Sequence, residues 1–79
     1  MDREMRTIYV YLLNEGTDSW CPVSAEYVRD DIYRIVSVNE DPEDEEWQFQ
    51  TNDCVRCKSK VFSGGESGMV AVERLSDSI

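Results

Sequence analysis

Between Cys54 and Phe62 the chain reads CVRCKSKVF, with Val55, Cys57, Ser59 and Val61 on one parity and Arg56, Lys58 and Lys60 on the other. A period of two is what a half-buried strand needs, because successive side chains leave opposite faces of the pleat. Elsewhere no stretch sustains the three-to-four-residue apolar spacing of a useful amphipathic helix. The pattern predicts an all-β chain.

Four more segments have strand chemistry. RTIYVYLL (residues 6–13) is β-branched and aromatic, and it runs into NEGTDS, where Asn14 and Gly16 are available for positive φ. WCPVSAEYV (20–28) follows, with Pro22 arguing for an edge or a bulge because it cannot donate to a ladder. RDD turns the chain into IYRIVSV (32–38), and SGGESG connects the alternating segment to MVAVERL (69–75). Five short strands joined by short connections predict a small five-stranded antiparallel barrel, SH3-like, with an OB-like barrel as the alternative. Seventy-nine residues leave room for a single domain with one modest core, frayed at residues 1–5 and 76–79.

Charge is unevenly placed. Seven of the seventeen acids and none of the eight bases lie between residues 38 and 53. Six of them, Glu40, Asp41, Glu43, Asp44, Glu45 and Glu46, crowd around Pro42. Asp41 suits a helix N-cap, Pro42 the first helical position, and the acids after it the positive end of a helix dipole, so one short helical turn is expected near residues 42–47. Trp47 and Phe49 then have strand spacing and are expected to fold back onto the barrel.

Several chemistries lack their parts. The CVRC pair, Cys54 and Cys57, resembles half of a zinc knuckle, but the chain holds three cysteines and no histidine. Without histidine the usual general base is also missing, and SGGESG lacks the lysine and helix of a phosphate loop. The chain therefore reads as a non-enzyme with no metal and no cofactor. The longest apolar run, Ile8 to Leu13, is far shorter than the roughly 20 residues of a membrane span, and MDREMRT is too charged to open a signal peptide. A cytoplasmic setting is expected, with the protein a monomer or small homo-oligomer.

The eight aromatic residues are expected mostly in the core, Trp20 among them, since a domain this small needs them there. One parity of the first strand must nonetheless face outward. If that parity is Tyr9 and Tyr11, the two tyrosines offer a binding surface beside the acids. The stripe Arg56, Lys58, Lys60 is expected to pair with acids such as Glu43 to Glu46 or Glu73.

The order YVYLLNEGTDSWCPVSAEYVRDDIYRIV, then an acidic stretch, WQF and NDCVRC, resembles a group of short uncharacterised bacterial and phage-associated proteins with the pattern EGTxxWxPV, YRI, WxF and GDxVxC. The resemblance spans about residues 8 to 73 and implies shared turns and core positions, with no activity attached. Cys21 stands where that pattern commonly has arginine, and Asn52 where it commonly has glycine.

A formal charge of −9 repels a phosphate backbone and favours basic partners. The expected function is therefore an acidic, non-enzymatic protein-interaction module that presents residues 40–46 and the tyrosines Tyr9 and Tyr11 to a basic protein surface. In its sharpest form it mimics DNA and inhibits a nucleic-acid-binding machine, as a phage anti-restriction or anti-CRISPR protein would. Extended, the six carboxylates would span about 20 Å at roughly the phosphate spacing of one strand. The alternatives are a small-barrel nucleic-acid binder that uses the Arg56, Lys58, Lys60 face and a housekeeping bacterial adaptor whose acids only keep it soluble.

Overall fold

The computed structural model describes residues 4–16 and 19–75. Six strands form: β1 (Met5–Leu13), β2 (Trp20–Arg29), β3 (Ile32–Ile35), β4 (Glu46–Trp47), β5 (Cys54–Val61) and β6 (Ser67–Arg74). Five of them close a ring, β1-β2-β3-β5-β6 and back to β1, while the two-residue β4 rides on the end of β1. Each ring strand lies beside its neighbour in the chain. That is a meander closed into a small barrel, and it differs from the Greek-key order of an OB barrel.

Closure has a geometric consequence. Strands of a meander alternate in direction, so in a ring of five the first and last must run the same way. The β1–β6 contact is accordingly parallel and limited to Tyr9 opposite Val70, while the other four ring pairings are antiparallel.

The turns follow local chemistry. Asn14, Asp30 and Asn52 adopt positive φ (63°, 50° and 75°), the region in which asparagine and aspartate are the most tolerant side chains. Gly65 (φ 90°) serves the β5–β6 hairpin, and Gly16 is not needed in that region. Pro22 lies on β2 before the segment that β3 reaches, whose pairing starts at Ala25. Its nitrogen therefore faces no ladder partner, as its sequence position requires.

Three boundaries differ from expectation. Met5 is already paired with Glu26 and the Glu4 carbonyl accepts from Tyr27, so β1 starts before residue 6. The expected fraying at residues 1–3 and 76–79 lies outside the described residues. At β3 the ladder stops at Ile35, because Val36 and Ser37 both turn their N–H groups to the Ser24 carbonyl. On β6, Val72 is an extra residue between Ala71, opposite Cys57, and Glu73, opposite Arg56. Val70 and Ala71, adjacent in sequence, are both buried but on opposite faces: Ala71, opposite Cys57, belongs to the core cluster, and Val70, opposite Lys58, lies on the outer face beside Trp20.

The barrel is filled by one parity of each strand. Ile8 and Val10, Val23 and Ala25, Tyr33 and Ile35, Val55 and Cys57, and Ala71 form one cluster. Trp47 and Phe49 fold over its end and are 5% and 7% exposed. Their spacing from the acidic loop clamps that loop to the barrel.

Candidate interaction surface

The acidic segment is a compact turn. Asp41 accepts at its carbonyl from the N–H groups of Asp44 (3.0 Å) and Glu45 (2.9 Å), which makes one helical turn that does not continue into a helix. Asn39 ties both ends of it. Its Oδ1 accepts from the Asp41 N–H at 3.0 Å, and its Nδ2 donates to the Glu45 carbonyl at 2.7 Å. Nothing in the composition of the acidic run announces Asn39, although Asx turns are the usual work of an asparagine before such a turn.

Coiling divides the carboxylates. Glu40, Asp41, Glu43 and Asp44 are exposed. Glu45 is half-buried and turns toward the barrel, where Oε1 accepts from Trp47 Nε1 at 3.4 Å and from the Cys21 thiol at 3.8 Å. Burial, reinforced by that carboxylate, pushes the Cys21 thiol pKa up. Glu46 is also exposed, but it is engaged by the Asn14 side-chain amide on the facing turn. The run is thus not an extended ladder, and the regular spacing that a phosphate mimic needs is lost.

A second surface lies on the outside of the ring. With Ile8 and Val10 in the core, Tyr9 and Tyr11 must point out, and their cross-strand neighbours on β2 are Pro22 and Trp20. Tyr11 meets Trp20 edge-on with ring centroids 5.1 Å apart, and Phe62 packs on Tyr9 at 5.0 Å and on Trp20 at 6.2 Å. Four rings therefore form one half-exposed layer outside a filled barrel. The expectation of a core Trp20 is corrected here: β2 parity sends Cys21, Val23 and Ala25 inward and leaves Trp20 outside.

Gly68 makes this layer possible. A Cβ there would lie 2.8 Å from Tyr9 Cε1 and 3.3 Å from Phe62 Cε2, so the rings occupy the space that any other residue would fill. Beside the rings runs a groove of about 360 Å³, lined by Trp20, Lys58, Ser59, Lys60, Val70 and Val72. Lys60 Nζ sits 5.8 Å from the Trp20 ring centroid, within cation–π range.

The basic stripe is not neutralised as expected. Arg56 reaches Asp31 at 3.8 Å, but Lys58 and Lys60 stand opposite Val70 and Gly68 and have no ion-pair partner among the described residues. Arg34 instead bridges Glu26, its neighbour across the β2–β3 ladder, at 2.6 Å. Sequence parity alone places Lys58 and Lys60 outward, but not beside Trp20. That adjacency arises because β6 and β1 meet.

The thiols are free. Cys57 is 1% exposed, and burial, aided by the Asp31 charge, pushes its pKa up to about 12. A thiol so placed is a core side chain and a poor nucleophile.

No family model matches this chain, and comparisons with curated proteins and with solved structures find no match either.

Proposed function

We propose that the protein is a non-enzymatic protein-interaction module that docks a partner on its outer aromatic layer, with the exposed acids of the 40–46 turn as an adjoining surface for basic groups. The observation that carries this reading is the layer itself: Tyr9, Tyr11, Trp20 and Phe62 remain outside a barrel whose interior is already occupied. Aromatic rings held rigidly at a surface, with an apolar groove alongside, are the usual energetic centre of a protein contact. The exposed carboxylates of the turn contribute to rate and specificity more than to raw affinity.

A DNA-mimic inhibitor of phage type, or a housekeeping adaptor, is a special case of this module. Because the acids are coiled, the mimic reading loses its support from charge spacing. The test is a capture experiment with three baits: wild type, Trp20→Ala, and a variant with Glu40, Asp41, Glu43 and Asp44 replaced by their amides. A partner retained by wild type and lost by a cooperatively melting Trp20→Ala supports the aromatic layer. Equal retention by both would sink it.

A second reading is favoured by Lys60 over the Trp20 ring and Lys58 in the same groove, neither with an ion-pair partner among the described residues, since single-stranded nucleic acids bind to such combinations. The formal charge of −9 opposes it. Fluorescence anisotropy with a labelled single-stranded oligonucleotide decides the matter, and salt-sensitive binding lost on Lys58→Glu would favour nucleic acid.

A further inference from the structure

The β5 strand outruns its neighbour. Its pairing with β3 ends at Arg56 opposite Ile32, with one further bond from the Cys57 N–H to the Asp31 carbonyl at 2.8 Å. On its other side β5 stays paired with β6 to Val61 opposite Ser67, and the Phe62 N–H donates to Glu66 at 2.7 Å. Backbone groups along a strand alternate in direction. Since Cys57 points toward β3 and Phe62 toward β6, the N–H and C=O of Ser59 and Val61 point away from β6. Nothing among the described residues pairs with them.

We propose that this open edge of β5, from Lys58 to Val61, is a strand-addition site for an acidic extended segment of a partner protein. Added beside β5, such a segment exchanges main-chain hydrogen bonds with Ser59 and Val61. Its residues opposite Lys58 and Lys60 lie on the outer face with those lysines, and acids there complete two cross-strand pairs. An acid on this side of β5 already reaches the stripe: Asp31, one residue before Ile32, the ladder partner of Arg56, stands 3.8 Å from the Arg56 guanidinium. An added strand continues where β3 stops. On the opposite face Val61, 69% exposed, asks for an apolar neighbour. The preferred ligand therefore has acids at alternate positions and an apolar side chain facing Val61.

Charge also selects against a second copy. Two β5 edges paired antiparallel about Ser59 would set Lys58 of one copy opposite Lys60 of the other, and like charges directly opposite destabilise a ladder. Lysines on an edge strand commonly serve only to prevent such pairing. The proposal goes beyond the docking surface above, because it rests on backbone groups that the aromatic layer does not use.

The test uses the full chain and an acetylated, amidated peptide that alternates glutamate with valine, with a lysine–valine peptide as control. The acidic peptide should slow hydrogen exchange of the Ser59 and Val61 amides by about tenfold or more, and the control should not. Ser59→Pro removes an N–H that the fold leaves unpaired, so the variant should melt like wild type and bind about tenfold more weakly. Lys58→Glu with Lys60→Glu should exchange the preference between the two peptides. Unchanged exchange at both amides, or equal slowing by both peptides, would show an edge that its lysines merely guard. If Ser59→Pro does not fold, the exchange measurement on wild type decides alone. Should the acidic peptide perturb Trp20 and Tyr9 and leave the β5 amides unaffected, the strand-addition site is wrong and the aromatic layer is its target.

Discussion

The two tryptophans occupy opposite sides of the same wall. Trp47, 5% exposed, closes the end of the barrel, donates its indole N–H to Glu45 and belongs to the core cluster. Trp20 lies on the outer face, half-exposed, against Tyr11, Phe62 and Lys60. Both are large apolar side chains next to acids or bases, so residue type does not separate them. What separates them is strand parity. The barrel interior supplies stability, and the outer layer is available for a partner.

The largest expected effect tests the inner member. Trp47→Ala should cost about 3–5 kcal/mol, enough to unfold much of a small domain, as read by urea melts. A cost below about 1 kcal/mol would mean that the acidic loop is not clamped to the core. Alkaline titration examines the same interior through Cys57. Its folded pKa is raised from 9.0 to about 12, so the thiol adds stability that is fully present below pH 9. Rising pH removes it. Between pH 9 and about 12, wild type should lose up to about 1.4 kcal/mol per pH unit more than Cys57→Ala does. Parallel pH profiles for the two proteins would contradict the burial.

The outer member should respond less. Trp20→Ala forfeits two edge-to-face contacts, worth about 0.5–1.5 kcal/mol each, and should lower stability by about 1–3 kcal/mol. Equal costs at Trp20 and Trp47 in the same melts would erase the distinction. Gly68→Ala sharpens it further, because the new methyl must displace the Tyr9 ring. We expect a loss of about 1–2 kcal/mol and altered tyrosine near-ultraviolet dichroism, with the buried cluster unchanged. The smallest effect belongs to the outward acids. Replacing Glu40, Asp41, Glu43 and Asp44 by their amides should shift stability by less than about 1 kcal/mol, since exposed charges are screened and partly repel one another. A larger loss in low-salt melts would show that these carboxylates hold the turn.

Much of the barrel was legible because it is written in local chemistry. Alternation marked β5, Asn14 marked a left-handed position, RDD marked the turn in which Asp30 takes positive φ, and Pro22 marked a stretch of β2 that β3 does not reach. The helical turn after Asp41 and the inward return of Trp47 and Phe49 also followed from capping and spacing. The surface was less legible. Tyr9 and Tyr11 were recognisable as a pair sharing one face, but Phe62 and Trp20 join them only across strand contacts far apart in sequence. That Glu45 turns inward and Glu46 meets Asn14 while the turn holds its shape depends on Asn39, Asn14, Cys21 and Trp47, which no property of the run itself reveals.

The sequence by itself determined the β class, the positions of the strands and most turns, because backbone periodicity and φ preferences act over a few residues. It also determined that any surface offered by the 38–53 segment is negative. Only the tertiary structure decided which aromatic rings stay outside, where Lys58 and Lys60 find themselves, and which edge of β5 is left open. Those outcomes depend on register and on ring closure. A parity rule says which residues share a face, but the contact of β1 with β6 and the early end of β3 decide what that face meets.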